Sequence, residues 1–176
     1  MYGAYPLTPI SNLQAKSNLG TYFGALLVLP AWLTQIHRAL SHWRKLAQHV
    51  KSTPNPVFWS GTHNGKSVKS AADKHAKAIG GSTIGHDLKA VGMKPPPRND
   101  PSSKKWWELA SRLKAQHSTG HASAVLGSTV NKDGVWKQIE EPELMKNDKV
   151  HTVSQIHPDT LKETEKLKSS SKSSSK

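Results

Sequence analysis

Ten histidines, six tryptophans, three glutamates within four positions (Glu140, Glu141 and Glu143) and a complete lack of cysteine set the chemistry this chain can do. Without cysteine there is no thiol nucleophile, no thiolate zinc site and no disulfide scaffold. His117 and His121 have the i, i+4 spacing of a helical metal site. Gly120 interrupts the helix between them, however, and no carboxylate stands beside them in an HExxH pattern. No metal site is expected. Ser60 lacks the glycine two residues earlier that a nucleophile elbow needs, since Phe58 stands there. Gly65-Lys66-Ser67 ends like a P-loop, but the glycine that must open the loop is missing.

What remains is aromatic and acidic. Trp59, Trp106, Trp107 and Trp136 fall at the ends of expected elements. Each is large enough to be a core anchor, and several together near element ends can instead form a stacking box for a flat or cationic ring. Val135, Lys137 and Ile139 alternate with Trp136, Gln138 and Glu140, a strand pattern that sets Glu140 at the strand's last position. In α/β sheets ligands bind beyond the carboxyl ends of the strands. A solvated strand end is the alternative for Glu140.

The elements that must position these residues are read from periodicity. Ile36, Leu40, Trp43, Ala47 and Val50 mark an amphipathic helix over 31–50, ended by the prolines of 51–56. Val57-Phe58-Trp59 is a short strand. The next helix is capped by Asn64, shows Val68, Ala72, His75 and Ile79 on one face, and stops at Gly80-Gly81. Residues 82–92 have no decisive pattern, and the prolines of 94–101 require a loop. A helix from Ser102 or Ser103 to Gln116 carries Trp106, Ala110 and Leu113 on one side, with Trp107 alongside. Strands are expected at 122–126, 135–140 and 150–156, with one helical turn at 142–146. The class is α/β: an N-terminal helical region, then a small, mainly parallel sheet flanked by helices.

The formal charge is +13 on 176 residues, and no Asp or Glu precedes Asp73. Such a surface attracts phosphates of any kind. The longest apolar stretch, 23–33, contains Pro30 and is far short of the roughly twenty residues of a membrane span. Residues 2–14 carry no basic n-region of a secretory signal. A soluble protein is expected, compatible with the cytoplasm or with secretion as a toxin or effector. Three regions are expected: an irregular segment and amphipathic helix over 1–50, a central region over 51–160 that holds the candidate tryptophans and glutamates, and a disordered Ser/Lys tail over 161–176.

Within 57–158 the motifs Phe58-Trp59-Ser60-Gly61, Trp107-Glu108-Leu109-Ala110-Ser111-Arg112, Ala124-Val125-Leu126-Gly127-Ser128 and Ile139-Glu140, with Leu144 and Val150 after it, follow in order. This ordered set resembles the ADP-ribosyl cyclase/NAD(P)+ glycohydrolase family, in a compact, cysteine-free form, over about 100 of the 176 residues. The resemblance implies that Glu140 is the catalytic carboxylate and that Trp59 and Trp107 embrace the nicotinamide. It makes Ser60 and Ser111 polar contacts to the nucleotide and Trp136 an aromatic near the rim. The family's arginine two residues after the first Trp is Gly61 here, and its acidic residue soon after Thr83 is replaced by Gly85-His86, with Asp87 displaced.

The implied reaction is hydrolysis of the nicotinamide–ribose bond of NAD(P)+. It expels a neutral pyridine, so no general acid is required, and the positive charge developing on the ribose needs one well-placed carboxylate. Residues 62–65, taken as a helix start with Gly61 and Thr62 leading in, are expected to offer free backbone N–H groups to the pyrophosphate, with Lys66 and Lys69 nearby. Hydrolysis is expected to dominate over cyclisation, because Gly61 and Gly85 leave room for water. No cofactor is implied, NAD+ or NADP+ being substrate, and an immunity or regulatory protein is left open as a partner. The alternative is a basic, non-catalytic nucleic-acid-binding module.

Overall fold

A computed structural model describes residues 31–169. The irregular segment 1–20, most of the apolar run 23–33 and the end of the Ser/Lys tail lie outside the described residues. Helix α1 (Ala31–Ser52) leads into strand β1 (Val57–Ser60) and a two-stranded hairpin, β2 (Thr62–His63) and β3 (Lys66–Ser67). Helices α2 (Lys69–Ala78), α3 (Ile84–Ala90) and α4 (Ser103–His117) follow. Strand β4 (Gly120–Leu126), a π-helical turn (Trp136–Glu140), helix α5 (Glu141–Lys146) and strands β5 (Val150–Ile156) and β6 (Glu163–Ser169) complete it.

The main sheet has the order β1-β4-β5-β6. β1 runs parallel to β4, with Val57 opposite Ser123 and Ser60 opposite Leu126, and β4 runs parallel to β5. Parallel neighbours need long crossovers. The crossover from β1 to β4 carries α2, α3 and α4, and the one from β4 to β5 carries the π-turn and α5. The chain is an α/β protein, with a helical N-terminal region and a mainly parallel sheet flanked by helices. Because both sheet faces are covered, β4 is a continuous buried run rather than an alternating one. Phe58, Ala124, Trp136, Leu144 and Val153 pack on one face; Val57, Val68, Ala72, Ala76, Val125 and Ile156 pack on the other. A third cluster, with Leu46, Val50, Ile84, Leu88 and Ala110, binds α1 to α3 and α4.

Four expectations from the sequence are corrected. Leu40 is 63% exposed, and the residues that seat α1 are Leu46, Val50 and the half-buried Trp43. Asn64 does not cap a helix: with Gly65 it has positive φ (+51° and +73°), the conformation that a two-residue hairpin turn demands. α2 starts only at Lys69, after β3. Residues 136–140 are not a strand. The buried members are Trp136, Ile139 and Glu140, a spacing of three and four that is helical, whereas the apolar alternation that suggested a strand has no sheet partner. The expected tail contributes β6, antiparallel to β5. Leu167 packs on the main core, and the side chains of 163–166 stay exposed at the sheet edge, so the backbone ladder with one apolar contact orders β6. The Lys168 ammonium, half-buried, donates to the carbonyls of Leu144 (3.1 Å) and Asn147 (2.8 Å).

Candidate active site

A cavity of about 380 Å³ opens beyond the carboxyl end of β1, the usual ligand position in open α/β sheets. β1 supplies Trp59 and Ser60 to its wall, and Gly61 follows directly. Trp107, Ser111 and Lys114 project from one face of α4, spaced by four and three residues. Trp136 and Glu140, also one helical turn apart, come from the π-turn, a local geometry frequent at functional sites. Lys69, Ile84 and Arg98 come from α2, α3 and the proline-rich loop.

Glu140, Trp59, Ser60, Gly61, Trp107, Ser111 and Trp136, chosen from the sequence, thus share one cavity. Thr62 does not line it. Its backbone N–H donates to the Thr129 carbonyl (3.0 Å) and its own carbonyl accepts from Thr129 (3.1 Å), so it closes a strap across the ends of β1 and β4. The free N–H groups expected at 62–65 are therefore replaced by a hairpin. Gly61 is required by that strap: at φ +86°, a Cβ there would lie 2.1 Å from the Thr129 carbonyl oxygen. No larger residue fits this position, and cations reach the cavity instead from Lys69 and Arg98, both exposed at its lining.

Glu140 is 6% exposed, and burial pushes its carboxyl up to about 7, opposed by a hydrogen bond from the Ser111 hydroxyl and by the Lys114 charge. The carboxylate is therefore half-ionised near neutrality. The linkage has a definite sign. A raised carboxyl favours the folded state below its unfolded value of 4.5, and that stability is lost as pH rises toward about 7. The loss is of order 3 kcal/mol at about 1.4 kcal/mol per pH unit. Glu140→Gln removes this dependence. Thermal melts should show the variant gaining several degrees on the wild type between pH 5 and pH 8; an unchanged gap would mean that Glu140 is not buried as described.

The tryptophans divide into two kinds. Trp59 and Trp107 are half-buried and present indole surface to the cavity. Trp107 is braced edge-on by Trp106 (5.2 Å between centroids), which in turn packs on Trp43 at 5.3 Å. Trp136 is not a rim residue: it is 1% exposed and packs 6.1 Å from the Phe58 ring in the main core, its indole N–H without a partner.

Sequence reasoning missed Lys114 and Arg98 and gave Asp87 only as a residue displaced from the family's acidic position. The Lys114 ammonium is fully buried and donates to Asp87 Oδ2 (2.5 Å) and to the Ser82 carbonyl (3.1 Å). Gly85 is exposed and lies outside the cavity, so the acidic group of this segment points at Lys114 through Asp87. Lys114 stands one turn after Ser111, and that spacing was the available signal.

His117 ends α4 and His121 stands on β4, where its ring pairs with the Thr152 hydroxyl. Among the described residues the cluster with metal-like spacing is His63, His157 and Asp159. Within it His63 Nε2 is 2.8 Å from Asp159 Oδ2, and His157 Nδ1 accepts from the backbone N–H groups of Asp159 and Thr160. With Nδ1 an acceptor, Nε2 of neutral His157 carries the proton and has no lone pair to offer a cation.

The class defined by fold and site is an α/β protein with a buried carboxylate and two half-exposed indoles in one cavity. No family model matches the sequence, and no curated protein matches it. Among solved structures the chain is similar to porcine CD38 with a covalent intermediate, ribo-F-ribose-5'-phosphate (21% identity, 60% of this chain and 55% of that one, TM-score 0.43). It is also similar to Aplysia cyclase with substrate NGD and product cGDPR (22%, 60% and 49%, TM-score 0.42). Apo porcine CD38 matches at 20% identity over 58% and 50% of the two chains, with TM-score 0.37. The chain spans about half the length of these structures. No helix among the described residues is long and apolar enough to cross a membrane.

Proposed function

We propose that this cavity hydrolyses the nicotinamide–ribose bond of NAD(P)+, giving nicotinamide and ADP-ribose or its phosphate. One observation carries the reading: the buried carboxylate of Glu140 shares a small cavity with the half-buried indoles of Trp59 and Trp107. Indole faces attract a flat cation such as the pyridinium ring. As the C–N bond breaks, its electron pair leaves with neutral nicotinamide and positive charge moves to the ribose. A carboxylate with little water around it stabilises that charge far more than it would in solvent. Water then adds to the ribose carbon and releases its proton to solvent. Ser111 holds the Glu140 oxygen by its hydrogen bond. Lys69 and Arg98 offer cations for the pyrophosphate.

Hydrolysis is favoured over cyclisation because Gly61, in the cavity wall, puts no side chain where a folded-back adenine would be held against the ribose; Gly85, outside the cavity, has no part in this. Chromatography of an NAD+ incubation tests the reading. Equal amounts of nicotinamide and ADP-ribose are expected. A folded protein that releases no nicotinamide sinks the proposal, and a mainly cyclic product sinks its hydrolytic part.

A further inference from the structure

The buried pair Lys114–Asp87 has no assigned role, and the place of Lys114 in the cavity that Glu140 also lines gives it one. Lys114 lies three residues after Ser111 on α4, so the two side chains leave the same helix face, and both line the cavity with Glu140. Its ammonium is fixed from behind by Asp87 Oδ2 and the Ser82 carbonyl, and sits 5.5 Å over the Phe58 ring. Asp87 is itself fully buried, and its other oxygen faces His49 of α1 at 3.4 Å. A run of polar groups therefore extends from half-exposed His49 through Asp87 and Lys114 to the cavity.

We propose that Lys114, clamped by Asp87, is a positioning residue that supplies the counter-charge keeping the Glu140 carboxylate ionised in the cavity that both line. A lone carboxylate buried this deeply takes up a proton and loses the charge the reaction needs. The opposing cation must be fixed, because a mobile lysine would withdraw to solvent. Asp87 and Ser82 provide that fixation inside the protein.

Other charged groups around Glu140 are less suited. Lys69 and Arg98 are exposed and solvated, and Lys69 shares its charge with Asp73 at 2.6 Å. On the neighbouring elements, Arg112 pairs with Glu143, Lys137 with Glu141 and Lys104 with Glu108, while Lys105 and Lys146 are exposed and His117 stands at the far end of α4. β1 carries no ionisable side chain. Burial draws the Lys114 ammonium below its usual range, and the charges of Asp87 and Glu140 oppose this.

The test is the titration of Glu140 by carbon NMR of a glutamate-labelled full chain, with Glu140→Gln identifying the signal. In Lys114→Met the midpoint should rise by about one pH unit or more, the effect of removing an opposite charge from a buried carboxyl. The pH at which nicotinamide release is half-maximal should rise with it, with KM for NAD+ little changed. Lys114→Met leaves Asp87 buried without a partner, which can prevent folding. The double variant Asp87→Asn/Lys114→Met removes both charges and should fold, with a smaller upward shift, because the repulsion from Asp87 is lost as well while Lys114, which lines the cavity, is the charge nearer its contents. An unmoved midpoint in whichever of these variants folds overturns the proposal, as does failure of both to fold, which would make the pair purely structural. The activity arm rests on the proposed function, whereas the NMR arm does not. A wild type that titrates as expected but cleaves no NAD+ defeats the function and leaves the role of Lys114 standing.

Discussion

Glu140→Gln is expected to lower the rate of NAD+ cleavage by about 100-fold or more while leaving a folded protein. The amide keeps the shape of the carboxyl and can still accept the Ser111 hydrogen bond, so cavity geometry is preserved. What it loses is the negative charge that meets the developing cation, and fixed electrostatic groups of this kind contribute about two to three orders of magnitude. Glu141→Gln is the control. Glu141 pairs with Lys137 at 2.7 Å across one helical turn near the surface, and such pairs contribute at most about 1 kcal/mol. Nicotinamide release measured at pH 8 for equal amounts of folded protein separates the two. Retention of more than about a tenth of the rate in Glu140→Gln removes this residue from the mechanism.

Trp136→Ala is expected to destabilise the protein by about 3–5 kcal/mol, the range for emptying a buried aromatic site. Trp136 is the largest of the fully buried side chains, and its ring joins Phe58, Leu144 and Val150 in the core beneath the cavity. Against a total stability of about 5–15 kcal/mol, the loss removes a large part of what holds the fold. Urea denaturation reads it as a fall in the transition midpoint. A variant as stable as the wild type would return Trp136 to the rim position that the sequence motif suggested.

The two tryptophans and the glutamate differ in how far the sequence revealed them. Trp59 was placed correctly because Val57 and Phe58 form a short, fully buried run, the mark of a covered parallel strand. Trp107 and Ser111 follow from the helical period of α4. The alternation of 135–140 sets Glu140 at the end of a strand, and the resemblance then names it as the carboxylate, whereas the structure puts it on a helical turn. The alternation of Val135, Lys137 and Ile139 imitates a strand, and only the burial of Trp136, Ile139 and Glu140 reveals the π-turn. Asn64-Gly65 held a hairpin signal that the following helix pattern masked. β6 had no apolar period to detect, because backbone pairing with β5 orders it. Lys114 and Asp87 lie 27 residues apart, and no local rule predicts that a lysine and an aspartate so separated will be buried together. Arg98 reaches the cavity from a loop whose course the prolines imply but do not direct.

The most direct test of the central claim is kcat/KM for nicotinamide release from NAD+ by the purified chain between pH 5 and pH 9. Catalysis by the ionised form of a buried Glu140 predicts a rate that rises about tenfold per pH unit at low pH, bends near 7 and levels above it. Folded protein that releases no nicotinamide at any pH, or that is as fast at pH 5 as at pH 8, contradicts it.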